Sequence, residues 1–180
     1  MIDRKKGSIR MDIGLLIVRL VLGAFVALHG IQKATYLWGG GGLEASSAEF
    51  RADGFAGGKV TAFIAAGTQI FAGVALVAGL LTPLASAGVI AVMSIATMVK
   101  IRHGFWSQDG GYEYPLFLTA LGVAVAWTGP GAISLDAALG LSDLWVAGVS
   151  IAATLAGIVG AVATYFVLHR RTPVTQGAAL

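Results

Sequence analysis

Three polar side chains lie within or beside long apolar runs, where uncompensated polar groups are costly. Arg19 lies six residues into the first run, Gln69 lies in the second, and Asp136 follows the fourth on the same predicted membrane side as Arg19. A charge within a membrane span costs about 2.5–3.5 kcal/mol on insertion scales and normally faces a partner inside the bundle. We therefore expect a buried Arg19–Asp136 ion pair and an interhelical hydrogen bond from Gln69. The alternatives are snorkelling of Arg19 towards lipid head groups, or ligand contact by either side chain.

A second polar group is predicted at the opposite membrane surface, because it lies where the first and third runs end and the second and fourth begin. Its members are His29, Lys33, His103 and Glu113. Two imidazoles and a carboxylate can relay protons or hold a metal ion. Their separations match no ligand motif, so no metal site is predicted. Simple anchoring of helix ends at the interface is the alternative, above all for the neighbouring Lys100 and Arg102.

Recognised catalytic motifs are absent from the sequence. It contains no G-x-S-x-G, P-loop or H-E-x-x-H, and the tetraglycine at 39–42 lacks the Lys-Ser/Thr that phosphate binding needs, which favours a flexible loop. The chain also has no cysteine. Disulfide scaffolds, thiol redox chemistry, iron–sulfur clusters and cysteine zinc sites are therefore excluded. The residues alone indicate no cofactor.

The elements that must position these side chains are membrane helices. The 180 residues are 57% hydrophobic and only 12% charged, whereas soluble domains carry roughly 25% charged residues. Such a chain cannot cover a globule without large apolar patches, and lipid is the solvent that suits them. The sequence pI near 9.5 does not indicate nucleic-acid binding, since the basic residues flank apolar runs, where they set orientation or meet lipid head groups.

Five apolar runs are long enough, or nearly so, to span a bilayer. They cover residues 13–31, 60–81, 84–99, 115–129 and 144–168. The fourth is short for a span. Between the first two, Ser46 or Ser47 as a helix cap and Gly54 as a stop predict one short interfacial helix. The fold class is therefore an all-α integral membrane protein, an up-and-down transmembrane bundle.

The fifth run carries a stripe of small residues at successive i+4 positions. The stripe consists of Gly148, Ala152, Ala156 and Gly160. Small residues let helix backbones approach closely in lipid, so we expect the stripe to pack into the bundle. A contact with a second copy or with another protein is the alternative.

Four groups of residues, spread over about residues 13–140, carry a family resemblance. They are Ile17-Val18-Arg19-Leu20 with His29-Gly30-Ile31-Gln32-Lys33; Ala72-Gly73 through Leu80-Leu81-Thr82-Pro83; Gly110-Gly111-Tyr112-Glu113-Tyr114-Pro115; and Gly129-Pro130-Gly131 with Ser134-Leu135-Asp136. In this order they resemble the DoxX family of bacterial membrane proteins. The resemblance implies a bundle of four family helices, here with a fifth appended. Many members have Glu where this chain has Gln69, which removes an ionisable group from the bundle.

The family takes its name from a membrane subunit of thiosulfate:quinone oxidoreductase. The resemblance thus implies a multi-pass membrane subunit of a quinone-linked or oxidative-stress complex, either an anchor or a subunit that contacts quinone. Whether the chain is itself an enzyme stays open. The alternatives are an assembly protein that packs against a larger complex or against itself through the stripe, and a small-solute transporter with Arg19 and Gln69 facing the path.

The predicted organisation is a basic N-terminal segment at 1–12, a DoxX-like four-helix domain at 13–140, and a further span with a basic tail at 141–180. We expect the bacterial plasma membrane with a cytoplasmic N-terminus, since the first helix usually sets orientation. The count of Lys and Arg opposes this, with four on the N-terminal side and seven on the other. The N-terminal four are Arg4, Lys5, Lys6 and Arg10.

Overall fold

The computed structural model describes residues 2–169, with side-chain surroundings given from residue 9 onward. Within this range the α-helices are α1 (Ile2–Ala34), α2 (Gly42–Ala52), α3 (Lys59–Ala78), α4 (Thr82–Lys100), α5 (Glu113–Thr128), α6 (Leu135–Ala138) and α7 (Ala147–Leu168). Short 3-10 turns interrupt the connections. No β-strand forms in the described part of the chain, where one isolated bridge joins Phe55 to His169.

The long helices α1, α3, α4, α5 and α7 form an up-and-down bundle, so the predicted fold class is confirmed. In it α1 packs mainly on α3, and α4 packs on α3, α5 and α7. The amide of Ala56 donates to the carbonyl of Leu168, which places the end of α7 beside the start of α3. We name the two ends of the bundle after residues of α1. The Arg19 end contains the α3–α4 turn and residues 129–146. The His29 end contains α2 and residues 101–112.

Within residues 2–169, four helices are long and apolar enough to cross a membrane. These spans are Ile9–Ala34, Lys59–Ala78, Thr82–His103 and Ala147–Leu168. The fourth predicted span corresponds to α5, which has 16 residues. At 1.5 Å per residue it is about 24 Å long, against a hydrocarbon core of about 30 Å. The short apolar run therefore corresponds to a short helix.

Several predicted boundaries differ from the structure. The basic segment is not separate, because α1 begins at Ile2. The interfacial helix exists, but it begins at Gly42, and the predicted serine cap is wrong. Ser46 lies inside the helix and donates to the carbonyl of Lys33 at 2.9 Å, while Ser47 accepts from Arg51 at 2.7 Å. The last span begins at Ala147, and the basic tail from residue 170 onward lies outside the described residues.

Small residues bring α1 and α3 into backbone contact. A Cβ on Gly23 would lie 2.6 Å from the carbonyl oxygen of Gly73, and one on Gly73 would lie 2.7 Å from the Cβ of Ala27. Lipid tails are as apolar as leucine, so helices in a bilayer associate through such close packing rather than through the hydrophobic effect. This crossing fixes the position of α1, which carries Arg19 and His29, relative to α3, which carries Gln69.

Candidate functional site

Arg19 is buried at the Arg19 end of the bundle, with 1% of its surface exposed. Its Nη2 donates to the carbonyl of Ile133, whereas Nε and Nη1 are buried without a hydrogen-bond partner. The guanidinium lies directly against Gly79, where a Cβ would collide with it. Gly79 has a left-handed backbone, φ 65°, and ends α3. Snorkelling to the head groups is therefore not what this side chain does.

Asp136 is fully buried and holds the start of α4. Its Oδ1 accepts from the Leu81 amide at 2.8 Å, and its Oδ2 accepts from the amide and the hydroxyl of Thr82 at 2.9 and 2.8 Å. Leu81 has a left-handed backbone at φ 49°. A carboxylate at a helix N-terminus satisfies free amides and meets the positive end of the helix dipole. Asp136 thus caps a helix from 54 residues away in sequence.

The direct ion pair predicted between Arg19 and Asp136 is not formed. The ion pairs within the described range, with nitrogen and oxygen no more than 4.0 Å apart, are Lys33–Glu49, Lys59–Glu44 and Arg102–Asp53. The two residues still belong to one cluster, because the amide of Asp136 donates to the carbonyl of Gly79 at 2.9 Å. The prediction was wrong about the contact because each side chain forms hydrogen bonds with backbone groups instead. Such bonds cannot be predicted from the positions of the membrane spans in the sequence.

Residues 129–136 are fastened to two helices by these contacts. Asp12 Oδ1 accepts from the Ala132 amide at 2.9 Å, one residue before the carbonyl that Arg19 binds. Asp136 then attaches the same segment to the α3–α4 turn. The motifs around Arg19, Thr82-Pro83 and Ser134-Leu135-Asp136 therefore meet in one structural cluster.

Gln69 is buried, with 2% exposed, where α3 crosses α1. The space beside Gly30 is filled by the Gln69 side chain, since a Cβ on Gly30 would lie 2.8 Å from the Cβ of Gln69. The Oε1 of Gln69 has no hydrogen-bond partner. We expected an interhelical hydrogen bond from the Gln69 side chain, and its oxygen does not make one; this part of the side chain is held by close packing with α1.

The four predicted polar residues lie at the His29 end, but they do not form one pocket. Lys33 pairs with Glu49 at 2.9 Å and lies 5.2 Å from the ring centre of Phe50. Glu113 accepts from the amide of Ser107 at 3.0 Å and closes the loop before α5. His103 is exposed in that loop. In residues 2–169, no three His, Asp or Glu side chains group closely enough to hold a metal ion.

His29 lines a groove of about 430 Å³ on the outer side of α1. The groove is lined by Phe25, Leu28, His29, Gln32, Trp38 and Tyr114. Trp38 has a left-handed backbone, φ 51°, and its carbonyl accepts from Gln32 Nε2 at 3.0 Å. The groove therefore places an imidazole, an amide and a phenol among aromatic walls. Sequence reasoning found only His29, although the α1 residues recur at the i, i+3, i+4 and i+7 spacing of one helix face.

A second groove of about 280 Å³ continues from the first along α1. Its lining is entirely apolar and consists of Leu20, Val21, Ala24, Phe25 and Leu28. Phe25 and Leu28 belong to both grooves. The outer side of α1 thus changes from polar and aromatic near His29 to purely aliphatic towards the middle of the span.

The small-residue stripe of the last span faces away from the bundle. Its members Gly148, Ala152, Ala156 and Gly160 are all exposed. A Cβ on Gly148 or Gly160 would meet nothing within 4 Å. The face that packs on α4 carries Ser150, Gly157 and Ala161 instead, with a Cβ on Gly157 only 2.7 Å from Ile90. The expectation that the stripe packs into the bundle was wrong, since α7 is rotated to bury the neighbouring small residues.

The bundle and its lipid-facing surfaces define a multi-pass α-helical membrane protein. The family model described as DoxX matches residues 14–102, which cover α1 to α4. The chain belongs to the DoxX family, as its motifs indicated. Comparisons with curated proteins and with solved structures gave no significant match.

Proposed function

We propose that the protein is a membrane subunit of a redox complex and contacts a quinone in the groove beside His29. One observation carries the proposal: an imidazole, an amide and a phenol lie together in a lipid-accessible groove with aromatic walls. Phenol and imidazole N–H or O–H groups can donate to the carbonyl oxygens of a quinone ring. Phe25 and Trp38 are 56% and 64% exposed, so their ring surfaces are free to stack on it.

The chain's own contribution would be binding and proton supply. Reducing a quinone to a quinol takes two electrons and two protons, and histidine side chains commonly relay protons in proteins. The electrons would come from a partner subunit that carries a redox centre, while this chain, which has no cysteine, would supply no thiol or iron–sulfur centre of its own. The family context supports an association with such a complex.

Quinone binding to the purified full-length protein in lipid nanodiscs tests the proposal. Tyr114→Phe keeps the ring and removes the hydroxyl, whereas His29→Phe keeps an aromatic ring and removes both imidazole nitrogens, so each should weaken binding about fivefold. His103→Phe is the matched control, since His103 lies outside the groove, and Glu113→Gln should also leave binding unchanged. Equal affinities for wild type and both groove variants would refute the site.

A second candidate function is assembly with another membrane protein through the outward stripe on α7. The supporting observation is the open space outside Gly148 and Gly160, which a partner helix could approach closely. Ala156→Leu with Gly160→Leu should then abolish co-purification of a partner. Ala120→Leu, on an exposed position of α5, is the control. Persistent co-purification with the double variant would exclude this contact.

We further propose a plasma-membrane location with the N-terminus in the cytoplasm, supported by the basic residues before the first span. The chain has no native cysteine, so single introduced cysteines report sidedness cleanly. Ala48→Cys lies at the His29 end and Ser142→Cys at the Arg19 end, both exposed. A membrane-impermeant maleimide added to intact cells should label the first and spare the second. The reverse pattern would invert the orientation.

A further inference from the structure

We propose that the turn after α1 is a clamp on the groove beside His29, in which Gln32 and Gly40 are positioning residues that hold the Trp38 ring against a bound quinone. The turn consists of residues 35–41, and we call it the Trp38 turn. The inference rests on the proposed function and concerns how tightly the groove holds a planar ring.

Trp38 forms the wall of the groove that does not belong to a long helix. The other five lining residues lie on α1 or α5, whose backbones are held by the bundle: Phe25, Leu28, His29, Gln32 and Tyr114. The Trp38 side chain is 64% exposed, so packing by neighbouring side chains does not fix its place. The backbone of the Trp38 turn therefore determines where this ring lies relative to His29.

The Trp38 turn folds back onto the end of α1. The amide of Gly40 donates to the carbonyl of Leu37 at 2.9 Å, and the amide of Gly42 donates to the carbonyl of Thr35 at 3.0 Å. Gly40 lies directly against α1, where a Cβ would collide with the carbonyl oxygens of Gln32 and Thr35. Any residue with a side chain at position 40 must therefore push the turn away from the helix.

Trp38 is held in a strained backbone conformation by a side chain of α1. Its φ of 51° and ψ of 40° are left-handed, a region that residues with a Cβ avoid. The Trp38 carbonyl accepts from Gln32 Nε2 at 3.0 Å. Strain of this kind persists only where surrounding contacts maintain it, and it is typical of residues that clamp ligands. The Gln32 hydrogen bond therefore keeps the turn in its strained form.

The position of the Trp38 ring decides whether it can stack on a ligand. Stacked aromatic rings have their centres about 4.5–7 Å apart, so a displacement of a few ångströms removes the contact. Loss of the Gln32 hydrogen bond, or a Cβ on Gly40, should move the ring by releasing the turn. Both changes should then weaken ring binding although neither alters the Trp38 side chain.

A double-mutant cycle separates positioning of Trp38 from direct contact between Gln32 and the ligand. The probe is a decyl-tailed benzoquinone, and its affinity is measured for the full-length protein in lipid nanodiscs. Trp38→Ala should weaken binding about tenfold, and Gln32→Met and Gly40→Ala should each weaken it about fivefold. In the Trp38→Ala background, each of these two substitutions should change the affinity less than twofold.

The glycine substitution has a matched control. Gly40 has a φ of −68°, so alanine there adds a collision without left-handed strain. Gly67 lies on α3, and a Cβ there would meet nothing within 4 Å. Gly67→Ala adds the same methyl group in open space and should leave binding within twofold of wild type. If Gly40→Ala does not fold, the cycle with Gln32→Met decides alone.

The outcomes separate the clamp from the proposed function. Unchanged affinity in Trp38→Ala would overturn the clamp and leave the ring site beside His29 standing. So would losses from Gln32→Met and Gly40→Ala that persist at full size in the Trp38→Ala background. Failure of wild type to bind the probe would overturn the proposed function and the clamp together.

Discussion

Asp136 accepts two hydrogen bonds from Thr82, one from its amide at 2.9 Å and one from its hydroxyl at 2.8 Å. With the bond from Leu81 it satisfies the first free amides of α4 and stabilises a left-handed residue just before the helix. A hydrogen bond to a charged acceptor stabilises the protein more here than it would in water, because the whole group is buried. The segment after α5 therefore determines how the α3–α4 turn is held.

Removing that acceptor should destabilise the bundle. Asp136→Ala leaves two amides and one hydroxyl without their partner, and hydrogen bonds to charged groups contribute about 1.5–3 kcal/mol each. We expect a loss of about 3 kcal/mol or more in the free energy of unfolding, measured by SDS titration in mixed micelles. Asp143→Ala, at an exposed position in the same segment, should change it by less than about 0.5 kcal/mol. Similar values for the two variants would contradict the capping role.

Both the positive charge of Arg19 and the shape of its guanidinium group should contribute to the stability of the bundle. Arg19→Met removes the donor to the Ile133 carbonyl and should cost about 2–3 kcal/mol of unfolding free energy in the same assay. Arg19→Lys keeps the positive charge but loses the planar fork, so it should retain part of the stability. Equal losses in the two variants would show that the charge itself contributes nothing.

Gly79 and Gly140 form a matched pair for separating backbone strain from steric collision. Both have left-handed backbones, at φ 65° and 70°. A Cβ at Gly140 would meet nothing within 4 Å, whereas one at Gly79 would collide with the Arg19 guanidinium. Gly140→Ala should cost about 1 kcal/mol, the usual left-handed penalty. Gly79→Ala should cost about 3 kcal/mol, since displacement of Arg19 is added.

The thermal midpoint of each purified variant provides the comparison. If both alanine variants melted together, the close approach of Arg19 to Gly79 would be refuted.

Added bulk should lower the stability of the protein on one face of α7 and leave it unchanged on the other. Gly157→Leu inserts a side chain against Ile90 and the carbonyl of Ala87, and overpacking typically costs about 1–3 kcal/mol. Gly160→Leu projects into open space and should leave the thermal midpoint of the purified monomer unchanged. A larger loss at Gly160 than at Gly157 would mean that α7 is rotated differently.

Several features of the site could be predicted from the sequence because they depend only on how deep each residue lies in its membrane span. The positions of Arg19 and Gln69 within apolar runs predicted buried groups, and both are buried. The alternating direction of the helices placed His29, Lys33, His103 and Glu113 at one end. Which of them share a groove could not be predicted, since only His29 turns towards the outer face of α1 while Lys33 turns to α2.

The sequence by itself determined that the protein lies in a membrane, that its helices alternate, and that its motifs belong to the DoxX family. These properties depend on composition, span length and order. Only the tertiary structure decided that Asp136 caps α4 rather than pairing with Arg19, that α7 exposes its predicted stripe, and that Trp38 and Tyr114 complete the groove with His29. The physical reason is that lipid and leucine are equally apolar. The rotation of a membrane helix about its own axis is therefore set by the shapes of its neighbours, and hydrophobic patterning along the chain does not encode it.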